Sequence, residues 1–154
     1  MPLDVRICLK RDFLLSISTG SVTFDDILAG MDDYLNDCNY RPGRPELIDL
    51  SGVTETDLNF KLMSSLVREV NDQVPGIKLT TKTVVCAPPG TLFGLARMYE
   101  TLAELAGGIE VFTYDTEAAA LEKMGLPYST FEALCAAEEF KPVSRQKEQP
   151  SRTG

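Results

Sequence analysis

The chain contains no histidine. That absence removes Ser-His and Cys-His pairs, the commonest metal ligand and the usual general base at neutral pH. Cysteine is sparse and scattered: Cys8, Cys38, Cys86 and Cys135 form no CxxC or CxxH, so neither a zinc site nor thioredoxin-type chemistry is expected. The Gly90-Thr91 turn lacks the GxxxxGK[ST] spacing of a phosphate-binding loop. No apolar run approaches the roughly 20 residues of a membrane span. The opening Met-Pro-Leu-Asp-Val-Arg also lacks the basic and apolar blocks of a signal peptide. These gaps predict a cytoplasmic protein without metal, cofactor or integral membrane association, and without catalytic residues. One catalytic route stays open. Cys86 sits at a strand end before a helix start, where a thiol pKa can fall, although its neighbours Val84, Val85 and Ala87 favour a buried, inert thiol.

What is present is an ordinary globular composition, 44% apolar and 25% charged over 154 residues, enough for one core that buries roughly 70% of the unfolded surface. The net charge of -8 is uneven: residues 141–154 carry +3 and the rest -11. An acidic body with its only basic cluster in a polar terminal stretch argues against nucleic acid. Residues 1–140 are expected to form the domain and 141–154 a disordered tail.

Val5, Ile7 and Leu9, then Phe13, Leu15 and Ile17, alternate on either side of Lys10-Arg11-Asp12. This predicts a β-hairpin with one covered face. Thr23 to Asp26 reads as a capping box before a helix carrying Phe24, Ile27, Leu28, Met31 and Leu35. Leu47, Ile48 and Leu50 read as a buried strand ended by Ser51-Gly52, and Thr54 or Thr56 as the cap of a helix from about Asp57. Its apolar stripe is Leu58, Leu62, Leu66 and Val70. The unbroken apolar run Thr83–Ala87 reads as an interior strand of a parallel sheet. Thr91 then caps a helix with Leu92, Leu95, Ala96 and Tyr99 on one side, stopped by Gly107-Gly108. A strand at 109–114, a helix at 116–124 and a helix opened by a Ser129–Glu132 box complete the chain. The pattern is α/β: one domain with a mixed, mostly parallel sheet of about five strands and helices packed against it.

The element order, with Leu47 to Asn59 as its third strand and following helix, resembles the STAS fold of anti-sigma-factor antagonists, and more closely the SpoIIAA-like group of small bacterial proteins. Phe93-Gly94-Leu95-Ala96-Arg97-Met98-Tyr99-Glu100, and Val111-Phe112 through Thr116-Glu117-Ala118-Ala119, carry the closer likeness, which covers about Leu47 to Met124. In the antagonists the helix after this strand opens with Asp followed by a phosphorylated serine. Here Asp57 is followed by Leu58, so the resemblance implies the fold without that switch.

Two sets of residues are candidates for binding. Asp49, Ser51, Thr54, Thr56, Asp57 and Asn59 gather polar side chains at one strand end, where ligands of open α/β sheets bind. The plainer reading is that they cap a helix and a turn. Phe93, Arg97 and Met98 offer an aromatic, an arginine and a methionine on one helix, types favoured at interfaces, although Arg97 can simply pair with Glu100. Gly94 inside that helix suggests a close approach. The expected activity is non-enzymatic binding or regulation through a protein partner or a homodimer. The alternative is carriage or sensing of a small apolar or amphipathic ligand such as a lipid.

Overall fold

The N-terminal alternation closes into a hairpin of β1 (Leu3–Cys8) and β2 (Phe13–Val22), paired antiparallel with Cys8 opposite Phe13. Its turn places Asp12 at φ 60°, a left-handed conformation that Asp tolerates better than most residues. In this computed structural model, which describes residues 2–72 and 81–143, the rest of the chain alternates helix and strand. α1 (Phe24–Leu35) opens with the expected capping box, Thr23 and Asp26 exchanging backbone-to-side-chain bonds. β3 (Glu46–Thr56), α2 (Phe60–Asp72), β4 (Thr81–Cys86), α3 (Thr91–Ala106) and β5 (Ile109–Tyr114) follow. Two short helices, α4 (Glu117–Lys123) and α5 (Phe131–Ala137), lead to β6 (Lys141–Pro142).

One six-stranded sheet results, in the order β5-β4-β3-β2-β1-β6. β2, β3, β4 and β5 run parallel, while β1 and β6 are antiparallel to their neighbours. Helices cover both faces. Phe13, Leu15, Leu47 and Val84 on one face pack with Leu121 of α4 and Leu134 of α5. On the other, Val85, Ile109 and Val111 meet Val67 of α2 and Ala96 and Ala103 of α3, and α1 comes down on β1. Gly30 allows that approach, since a Cβ there would stand 2.9 Å from Leu3 Cδ2.

Several boundaries differ from expectation for identifiable reasons. Ser51-Gly52 does not end β3, which continues to Thr56 because β2 supplies a parallel partner as far as Val22. Gly52 lies at a register shift, and a Cβ there would meet Thr19 Cγ2 at 2.9 Å and Ser18 O at 3.2 Å, so the glycine permits a bulge instead of a stop. α2 consequently starts at Phe60, and its cap is Asn59, whose Oδ1 accepts from Leu62 N–H, in place of Thr54 or Thr56. Gly90 at φ 116°, not Thr91, precedes α3 and makes no side-chain cap bond. α5 is capped by Thr130 in place of Ser129, so Glu132 is not its capping-box partner, and Glu117 Oε1 accepts the Phe131 N–H. The hairpin is covered on both faces: Ser16 and Ser18, opposite in direction to Leu15 and Ile17, are as buried as the core. Finally, Lys141–Pro142 adds a sixth strand, pairing with Arg6 and Ile7. From residue 144 the expected tail lies outside the described residues.

Candidate functional site

Leu14, Ser16 and Ser18 of β2 share their face of the sheet with Glu46, Ile48 and Leu50 of β3 and with Thr83 and Val85 of β4. Three helices roof this floor. Helical spacing brings Ile27, Met31 and Tyr34 of α1, Met63, Leu66 and Val70 of α2, and Leu92, Ala96 and Tyr99 of α3 toward it. The layers do not close completely. Between them lies a cavity of about 250 Å³, lined almost throughout by aliphatic and aromatic carbon.

One end of the cavity is polar. Arg44, in the loop leading into β3, has a side chain only 5% exposed, with Nε 3.2 Å from Asp12 Oδ1. Its Nη1 is buried and has no hydrogen-bond acceptor among the described residues. Glu46 stands two residues further on, also against the cavity, and burial alone pushes its carboxyl from 4.5 to about 7. Tyr34 donates from its hydroxyl to Arg41 O at 3.3 Å and meets Tyr40 edge-on at 5.0 Å. Burial, and then the neighbouring Glu46, raises the Tyr99 phenol well above its usual value. The cavity therefore combines largely apolar walls with a buried cation and a carboxyl whose pKa burial raises to about 7.

The polar residues expected to form a site lie mostly elsewhere. Asp49 is buried on the opposite sheet face and binds its own neighbour, its Oδ1 accepting from Ser51 N–H at 3.0 Å and Ser51 Oγ at 2.6 Å. Thr56 Oγ1 accepts from Leu58 N–H at 3.2 Å and reaches the cavity wall. Asp57 accepts from Phe24 N–H at 2.9 Å, tying this loop to the start of α1. Asn59 caps α2, and Thr54 is exposed. Of the second set, Phe93 packs against the α2–α3 core, Met98 is half-buried, and Arg97 is exposed with Nε 3.8 Å from Glu100. The structure thus joins Asp49 with Ser51 but does not converge the six on one point.

Cys86 is buried opposite Asp49. Burial first, then the negative charges of Asp49, Glu117 and Asp115, pushes its thiol up to about 12, so thiolate is scarce at neutral pH. Among the described residues no group of three or more Cys, Asp or Glu is placed to hold a metal ion, and no helix is long and apolar enough to cross a membrane. No protein-family model matches the chain, and no curated protein matches it either.

Arg44, Glu46, Tyr34 and Tyr99 were not foreseen as a group. Arg44 and Glu46 flank Pro45 in a stretch that reads as a turn, and Tyr34 and Tyr99 lie in amphipathic helices that read as core. Ser16 and Ser18 are the available signal: two hydroxyls alternating with the apolar Leu15 and Ile17 of the same strand.

Proposed function

We propose that the protein binds a small apolar or amphipathic ligand in the cavity between the sheet and α1, α2 and α3, as a carrier or sensor rather than an enzyme. The observation that carries this reading is the cavity itself. Its walls are apolar over a partly open volume of about 250 Å³. An apolar ligand would bury that surface at about 25 cal/mol per Å², whereas water gains few hydrogen bonds against such walls. The buried Cys86 thiol and the absence of histidine support a binding role over catalysis. Within this reading, the element order keeps the resemblance to SpoIIAA-like proteins.

Docking of a protein partner or a second copy on α3 is the second reading. Leu105, 80% exposed near the end of α3, supports it, while the inward packing of Phe93 weakens the surface first expected there. Native mass spectrometry of protein purified gently from cells tests the leading proposal. Bound small-molecule mass is expected on the wild type, and much less on Ala96→Met, which extends a flexible side chain into the cavity from a buried wall position. A wild type with no bound mass that also takes up no apolar probe would reject the carrier reading.

A further inference from the structure

The two ends of the cavity differ in chemistry, and the difference restricts what fits. At the apolar end, α1, α2 and α3 offer only side chains that reward burial of hydrocarbon. At the other end, Arg44 is more than nine-tenths buried and keeps Nη1 without an acceptor among the described residues. Nε lies 3.2 Å from Asp12 Oδ1 as an ion pair but makes no hydrogen bond, so Nε and Nη1 are both without an acceptor among the described residues, in a side chain that lines the cavity. We infer, building on the carrier reading, that the cavity takes a single-chain aliphatic carboxylate, with the carboxylate on Arg44 beside Glu46 and the chain along the three helices.

Size and charge select this class. A cavity near 150 Å³ already admits benzene, so about 250 Å³ accommodates one medium-length chain and excludes a two-chain lipid. A guanidinium facing hydrocarbon is best satisfied by a planar oxyanion, through charge-assisted bonds that an alcohol does not match. An amine would face Arg44 with like charge. Glu46 completes the site. Beside a bound carboxylate it favours its protonated form and donates to the ligand, one proton serving two carboxyl groups. The groups close enough to feel the Glu46 charge are Tyr34 from α1 and Tyr99 from α3; Arg44, two residues back along the chain and paired with Asp12, also acts on Tyr34. Both phenols are raised above 10, so neither titrates near neutrality.

Isothermal titration of the full chain, stripped of retained ligand, with decanoate and 1-decanol tests the assignment. At about pH 6.5, where the fatty carboxylate is ionised, decanoate is expected to bind at least about tenfold tighter than decanol. Arg44→Met should weaken decanoate by about 10- to 100-fold and leave decanol within about threefold. Lengthening the acid from six carbons should tighten binding about fourfold per methylene until the cavity is full. Decanoate, but not decanol, should weaken above pH 7 as Glu46 ionises, and Glu46→Gln should abolish that loss. If Arg44→Met fails to fold by circular dichroism, Arg44→Lys and the pH series on the wild type carry the test. Equal binding of acid and alcohol, with neither sensitive to Arg44 nor to pH, would overturn the carboxylate while leaving the carrier intact. Failure of every chain length of both compounds would overturn the two together.

Discussion

Glu46 is the described carboxyl that burial shifts most, into the neutral range. Its folded-state pKa of about 7 lies above the ordinary 4.5, so the folded protein prefers the neutral acid. The associated stability is fully present below about pH 4.5 and lost as pH rises through 7. Glu46→Gln is expected to match the wild type near pH 4 and to exceed it near pH 8 by about 3 kcal/mol, read from urea midpoints at the two pH values. Equal midpoints at pH 8 would show that Glu46 is solvated. Gly94 supplies a second case, because a Cβ there would meet nothing within 4 Å and the residue is exposed inside α3. The close approach expected from this glycine does not exist. Gly94→Ala should therefore stabilise the fold by about 0.5–1 kcal/mol, raising the melting temperature by about 1–4 °C. Neither property was legible in the sequence, since burial at position 46 depends on three helices remote from it, and an exposed helical glycine reads the same as a packed one.

Periodicity located the α/β order and the five helices, because each buried face is repeated several times and one odd residue cannot hide it. Ends are set by single hydrogen bonds, and there the expectations slipped. The loop between β3 and α2 shows the difference: Thr54, Thr56 and Asn59 are all competent caps, and Asn59 takes the role because β2 holds the chain extended as far as Thr56. Asn59→Ala should cost about 1 kcal/mol, whereas Thr54→Ala, at an exposed position, should stay within about 0.5 kcal/mol; thermal melts of the two variants separate them. Asp57 lies between these elements and accepts from the first turn of α1. The six polar residues gathered here thus join secondary structures to one another, and the sequence could not separate that duty from ligand binding.

The two sheet faces are filled differently. Against α4 and α5, Phe13, Leu15, Leu47, Leu121 and Leu134 leave little room, and Leu121→Ala, fully buried, is expected to cost about 2–5 kcal/mol, measured by denaturant unfolding. Against α1, α2 and α3 the packing is incomplete, and on the proposed carrier reading a ligand at one hundred times its dissociation constant would add about 2.7 kcal/mol. A further consequence concerns the margin of the sheet beyond β1. That strand would present a row of unpaired N–H and C=O groups, the template on which other chains add strands. Lys141–Pro142 lies along it, opposite Arg6 and Ile7, and Val143 N–H donates to Val5 O at 2.9 Å. Lysine and proline are poor substrates for extension, one by charge and the other by lacking an N–H. A chain ending at Phe140 should keep its cores yet become self-adhesive, forming strand-exchanged dimers and larger aggregates in light scattering at concentrations where the full chain stays dispersed. β6, two residues long, would then be read as a guard against polymerisation.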